Sequence, residues 1–397
     1  MKLYKRTKYL DQIRPFIGKP LVKVLVGQRR VGKSVLLQII AEELQVENVQ
    51  IIYIDKESYE FDSITDYKSL NDFINATAIA PKVAVFIDEV QEIAEFEKSL
   101  RNFYKKPNFD IYVTGSNANL LSGELATLLS GRFIEMEVYP LDYREFLAIN
   151  ELIDTETNCL KYLQFGGMAG LSLLPDEPKI KREYLQNIYN SILYRDIIKR
   201  NQIRNVAFLE NLVNYIADNV GSQLSAKKIS DYLKSQKVQI SINTVIDYLR
   251  FLTDAFIVRK VKRQDIKGKK IFEVGEKYYF EDLGIRNNIV GFSPNDIQKV
   301  YENVVFNHLK SNGYDIHTGA FVEKEIDFIA TKDGETTYFQ VAYLLTEPTM
   351  IEREFGNLLL INDNYPKYVI SQSVLPSLNT YKGVQHLSLR QFLVDFQ

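Results

Sequence analysis

The sequence predicts an α/β chain whose first part is a buried parallel sheet. Three observations carry that prediction. Short runs that are apolar on both faces recur at 22–26, 49–54, 83–87, 111–113 and 134–138, as strands covered on both sides require. Segments with helical spacing separate them, which is how parallel strands are joined. The first run opens into Gly27-x-x-x-x-Gly32-Lys33-Ser34 and then an apolar helical pattern over 34–43, a strand-loop-helix setting.

That octapeptide is the phosphate-binding loop pattern. A loop wrapped around a triphosphate must turn its backbone N–H groups inward, which needs glycine where a Cβ collides or φ is positive. Gly27 and Gly32 fit those places, and the candidate nucleotide-binding residues are Gly27, Gln28, Arg29, Arg30, Val31, Gly32, Lys33, Ser34 and Val35. Lys33 is expected to reach the β and γ phosphates and Ser34 to give its hydroxyl to Mg²⁺, with the helix N-terminus facing the same anions. The expected ligands are ATP and Mg²⁺.

The third apolar run empties into Asp88-Glu89, within VAVFIDEVQEI. Adjacent carboxylates at the end of a buried strand are costly unless a metal or a reaction uses them. Asp88 is expected to hold Mg²⁺ and Glu89 to polarise the water that attacks the γ phosphate. The fourth run ends in Thr114-Gly115-Ser116-Asn117. Ligands of parallel sheets bind at the carboxyl ends of strands, so these polar groups, Thr114, Ser116 and Asn117, suit a sensing role. Arg132, just before the fifth run, is a candidate arginine finger, acting in cis or from a neighbouring subunit.

At 397 residues the chain exceeds one hydrophobic core, so more than one domain is expected. A net charge of −2 excludes a uniformly basic nucleic-acid binder. A single cysteine, Cys159, excludes internal disulfides and cysteine metal clusters, and it reads as a buried thiol. No apolar run reaches about 18 residues and the basic N-terminus lacks a signal-peptide core. A cytoplasmic location without a membrane partner is expected.

The segments GQRRVGKS, VAVFIDEVQ, VTGSNANLL, LSGRF and VYPLDYREF follow one another between 27 and 146. With them the chain resembles the bacterial and archaeal AAA+ type ATPases that join an N-terminal ATPase to a C-terminal domain of unknown function with a nuclease-like fold. The resemblance implies a P-loop NTPase sheet in the order 5-1-4-3-2 over residues 1–146. It also implies Ser116 or Asn117 as first sensor, Arg132 as the finger, and a small helical lid over 147–205, where Arg195 is a candidate second sensor. It brings no known substrate.

Residues 206–280 read as three short helices and a basic hairpin, the order of a winged helix. Between 221 and 270 there are 12 Lys or Arg against 4 Asp, a balance of +8. A DNA-facing surface is therefore expected there, with the helix from Ser241 in the major groove and Lys267, Lys269 and Lys270 on phosphates; the other reading is a packing module. Residues 281–397 resemble a restriction-endonuclease-like α/β domain, with Glu302 on a helix and Asp327 on a strand. They depart from it at Gln340-Val341-Ala342, where an amide replaces the third carboxylate and alanine the water-activating lysine. The expectation is a Mg²⁺-dependent ATPase switch acting on a DNA or protein partner, with oligomers allowed. The alternatives are a nucleotide-gated DNA-binding regulator and an ATP-regulated nuclease.

Overall fold

The computed structural model describes residues 4–121, 129, 131–235, 240–266, 268, 271–321, 324–345, 347–372 and 380–396. Residues Met1–Tyr139 with Asp254–Phe256 form one compact unit, and Pro140–Thr253 with Ile257–Gln397 a second.

In the first unit, α1 (Thr7–Ile13) buries Tyr9, Leu10 and Ile13 ahead of the sheet. The five strands are β1 (Val22–Val26), β2 (Gln50–Asp55), β3 (Val83–Asp88), β4 (Phe109–Gly115) and β5 (Phe133–Glu137). They lie in the order β2-β3-β4-β1-β5 with every pairing parallel. Read from the other edge this is 5-1-4-3-2, the order the resemblance implies. Every residue of β1 and β3 is buried, which explains why these stretches lack a polar face. The helices α2 (Lys33–Val46), α3 (Tyr67–Thr77) and α4 (Phe96–Phe103) connect the strands. Asp66 starts α3 with a capping box, accepting from Lys68 N and Ser69 N while Ser69 closes back on the Asp66 N–H. From β1 the chain crosses to the β2 edge, returns through β3 and β4, and passes β1 to reach β5. That reversal brings the carboxyl ends of β1, β3 and β4 together.

The second unit begins with helices Tyr143–Ile149, Glu156–Phe165 and Pro178–Ser191, the last continuing into a π-helix over Ile192–Lys199. Helices Val206–Asp218, Ala226–Ser235 and Ile242–Asp254 follow, then the hairpin β6 (Val258–Asp265) and β7 (Ile271–Phe280). The hairpin does not stand apart. With β8 (Asp315–Phe321), β9 (Lys324–Lys332), β10 (Glu335–Val341), β11 (Lys367–Ser371), β12 (Thr380–Tyr381) and β13 (Val384–Ser388) it forms one eight-stranded sheet, β12-β13-β11-β10-β9-β8-β6-β7. Strand β6 pairs parallel with β8 through Arg263–Thr318, Gln264–Gly319 and Asp265–Ala320. The sheet thus runs across residue 280, where the sequence suggests a domain junction, because β6 would otherwise carry an unpaired edge. The Asp333-Gly334 turn between β9 and β10 has φ of 51° and 84°, as a two-residue hairpin loop needs. Among the described residues no helix is long and apolar enough to cross a membrane.

Asp282 ties this unit together at the start of the helix Leu283–Val290. Its carboxylate accepts the Gly167 N–H at 2.7 Å and the Ile285 N–H at 3.0 Å and is 1% exposed. Burial outweighs these bonds and pushes its pKa to about 6, against the ordinary 3.8. A folded-state value above the unfolded one stabilises fully below the unfolded pKa and ceases to do so as pH rises through the folded one. Urea unfolding of the wild type between pH 3 and pH 7 is therefore expected to carry a stability loss of ~3 kcal/mol from this group. Asp282→Asn, which cannot titrate, should lack that component of the pH slope.

Candidate active site

The loop after β1 is shaped by its backbone. Gly27, Arg30 and Gly32 have φ of 150°, 70° and 103°, and Gly32 caps α2 in the left-handed region. A Cβ on Gly27 would meet the Val138 carbonyl oxygen at 2.2 Å, whereas one on Gly32 meets nothing within 4 Å. Gly27 is thus required by contact and Gly32 by conformation. Lys33 opens α2 and is 3% exposed; its Nζ donates to the Gly27 and Gln28 carbonyls, each at 3.0 Å. Gln28 is fully buried and donates to the Phe256 carbonyl at 2.7 Å. Arg29, also buried, pairs with Glu57 at 2.6 Å, while Arg30 is exposed. The buried Val31 offers its carbonyl to Arg6 at 3.1 Å. Ser34 and Val35, both half-buried, lie in the first turn of α2.

Asp88 and Glu89 face this loop from the end of β3. Thr114 Oγ1 donates to Asp88 Oδ1 and accepts the Glu89 N–H at 2.9 Å, so one hydroxyl positions both residues. Burial pushes the Asp88 carboxyl up, and hydrogen bonds from Ser34 and Thr114 only partly offset this. The Ser34 hydroxyl and the Asp88 carboxylate therefore converge, a pair of hard oxygens that fits Mg²⁺. Glu89 has φ of 56° and is 6% exposed. Burial raises its pKa, but the charges of Lys33 and Arg29 with hydrogen bonds to Gln91 and Ser116 more than reverse that and hold it below the ordinary range. Its Oε1 is 3.8 Å from Lys33 Nζ. An ionised carboxylate so held accepts a hydrogen bond from water and is a weak proton acceptor, which suits orienting a nucleophile.

The buried Ser116 follows β4 and joins this group, with the half-buried Asn117 next to it. Arg132 does not. Its carbonyl accepts the Val22 N–H at 3.0 Å, at the amino end of β1, and its side chain is exposed and donates to Tyr104 Oη at 2.8 Å. Five residues of strand, ~16 Å, separate it from the loop in the same chain. Arg195 lies half-buried in the π-helix of the second unit. Gln91 was not among the sequence candidates.

The second unit contains a separate charged cluster. Lys277 on β7 is 4% exposed and lies 3.0 Å from Glu302, 2.5 Å from Glu325 and 3.8 Å from Asp327. Tyr279 Oη donates to Glu302 at 2.5 Å, and the Val341 N–H to Asp327 at 2.8 Å. Burial and the Glu302 charge push Asp327 well up despite Lys277. Gln340 donates to Glu354 at 3.1 Å. The sequence shows Ala342 where a lysine is expected; tertiary structure brings Lys277 to these carboxylates from a hairpin. Among the described residues no three His, Cys, Asp or Glu side chains converge as a metal-ligand set. Of the basic segment, Lys227, Lys228, Lys234, Arg250, Lys260 and Lys262 are exposed, but Arg259 turns inward to Glu281. Lys267, Lys269 and Lys270 lie outside the described residues. The helix Ile242–Asp254 exposes Ile242 and Ile246.

An AAA domain family model matches residues 19–147, and a domain of unknown function matches 156–296. An uncharacterized protein of Haemophilus influenzae is 37% identical over 92% of this chain and 92% of its own length. One from Methanocaldococcus jannaschii is 33% identical over 84% of this chain and 77% of its own. The solved structure of a Walker-type ATPase from Pyrococcus abyssi shares the fold, with a TM-score of 0.52 at 17% identity over 72% of this chain and 96% of its own.

Replacing Gly27 with alanine is expected to lower the thermal midpoint, at a cost of at least ~2 kcal/mol from the collision with Val138. Gly32→Ala should cost ~1 to 2 kcal/mol, the left-handed backbone penalty alone. Calorimetry of both variants checks the ranking.

Proposed function

We propose, for a chain that belongs to one family with the uncharacterized Haemophilus influenzae and Methanocaldococcus jannaschii proteins and matches the AAA domain over 19–147, Mg²⁺-dependent ATP hydrolysis that switches the disposition of a partner-binding part. The observation that carries this reading is the meeting of Lys33, Ser34, Asp88, Glu89 and Ser116 at the carboxyl ends of β1, β3 and β4. Gly27, Gln28, Arg29, Arg30, Val31, Gly32 and Val35 shape the loop around the phosphates. Lys33 binds the β and γ phosphates, and its carbonyl partners keep the ammonium at the loop. Ser34 and Asp88 would hold Mg²⁺, which supplies charge neutralisation at the phosphates. Glu89 orients the attacking water for in-line displacement, and Ser116 and Asn117 report on the γ phosphate. Arg132, distant from its own loop, would reach the transition state of a neighbouring subunit.

Lys33→Ala is expected to reduce binding of a fluorescent ATP analogue at least ~100-fold, the loss of a charge-assisted phosphate contact. Glu89→Gln should bind the analogue normally and hydrolyse ATP ~100-fold more slowly or worse. Undiminished turnover in Glu89→Gln removes that residue from the reaction.

A second reading, a nucleotide-gated DNA-binding regulator built on the winged-helix order of elements, is favoured by the exposed cations Lys227, Lys228, Lys234 and Arg250. The exposed Ile242 and Ile246 favour a protein partner instead, since isoleucine does not read base edges by hydrogen bonding. Duplex affinity measured against salt separates the two. DNA binding is expected to fall steeply with salt, and each of these cations changed to Ala should reduce the slope by ~0.9. A flat dependence supports the protein partner. Nuclease action from Glu302 and Asp327 has less support, because Gln340 and Ala342 replace a carboxylate and a lysine and Lys277 already neutralises part of the cluster. DNA left intact with Mg²⁺ or Mn²⁺ would exclude it.

A further inference from the structure

Gln91 lies in the short turn Val90–Glu92, two residues beyond Glu89. Its Nε2 donates to Glu89 Oε2 and is 3.4 Å from Ser116 Oγ. Its Oε1 is buried with no hydrogen-bond partner. That oxygen rests over Gly115, where a Cβ would come within 2.8 Å of it, so the amide fits because β4 ends in glycine. A buried carbonyl oxygen without a partner is costly. Methionine would fill the same volume without that cost, so packing does not account for glutamine here. What the amide supplies is its donor end, which is spent on Glu89.

The carboxylate is drawn two ways, toward the Lys33 and Arg29 charges and toward hydrogen bonds with Gln91 and Ser116. Its Oε1 faces the Lys33 ammonium at 3.8 Å, longer than a direct charge-assisted hydrogen bond of about 2.8 Å. Without the Gln91 donor the carboxylate would turn toward Lys33, which stays held by the Gly27 and Gln28 carbonyls, and Glu89 would lose its place for the reaction. Gln91 holds the other oxygen toward the end of β4.

We propose that Gln91 is a positioning residue for hydrolysis, tying the Glu89 carboxylate to Ser116 at the end of β4 so that Glu89 stays clear of Lys33 and meets the attacking water. This rests on the ATPase reading and adds a regulatory link to it: a shift of Ser116 moves Glu89 both directly and through Gln91.

Gln91→Met keeps the volume and removes the donor. It is expected to lower kcat about 10- to 100-fold while KM for ATP and affinity for a fluorescent ATP analogue stay at wild-type values. Gln91→Glu sets a second carboxylate against Glu89, raising its pKa, so the acid limb of the kcat–pH profile should move to higher pH. A wild-type kcat and pH profile in Gln91→Met overturns the proposal, as does a kcat loss matched by an equal loss of nucleotide affinity, which marks a packing role. Glu89→Gln measured in parallel separates the two levels. If it is slow while Gln91→Met is normal, Gln91 alone is removed; if it turns over normally, or the wild type shows no turnover, both fall.

Discussion

Two adjacent carboxylates at the mouth of a fully buried strand persist only if the surrounding groups satisfy them, and that constraint organises the first unit. Asp88 and Glu89 are 4% and 6% exposed, where an uncompensated charge would be prohibitive. Thr114 serves both, donating to one and accepting from the backbone of the other. Lys33 supplies the compensating charge from the start of α2. These groups come from three strands or their ends, so the arrangement exists only when β1, β3 and β4 are neighbours in register. The parallel order with β4 between β3 and β1 meets that condition.

The two carboxylates are treated differently, and the difference is chemical. Asp88 is pushed up by burial and lies against a hydroxyl, an environment that a divalent cation would relieve. Glu89 is held down by two cations and two hydrogen bonds, which keep it ionised and a weak proton acceptor. Neighbouring acids whose environments separate their pKa values commonly divide a reaction's labour. The left-handed backbone of Glu89, at φ of 56°, is the local cost of turning the second carboxylate toward the loop.

The second unit meets a similar constraint with a lysine. Lys277 stands among Glu302, Glu325 and Asp327, and its strand belongs to the same sheet as β9, which carries two of them. The hairpin is therefore bound to the C-terminal strands by both backbone pairing and charge. Any partner that moves it acts on the eight-stranded sheet as a whole, since β6 and β8 share a hydrogen-bonded edge.

Much of the fold was legible in local pattern. The five apolar runs became five strands, with ends within about two residues of expectation, because burial on both faces leaves a continuous apolar signature. The loop was legible because Gly27, Gly32, Lys33 and Ser34 each meet a requirement of local backbone or chemistry. Arg132 shows the limit: its motif is clear, but its distance from the loop depends on which end of β5 it occupies and on β5 lying beside β1. Gln91 and Lys277 were silent for a related reason. A glutamine after a turn and a lysine in an aromatic strand carry no periodic signal, and their partners lie up to 50 residues away, at Ser116 and Asp327. Sequence alone determined which strands are buried and which peptide can cradle phosphate, since both follow from neighbours along the chain. Only tertiary structure decided which side chains hold Glu89, how far Arg132 lies from the loop and what neutralises Glu302, because those depend on distances between residues that the chain brings together only on folding.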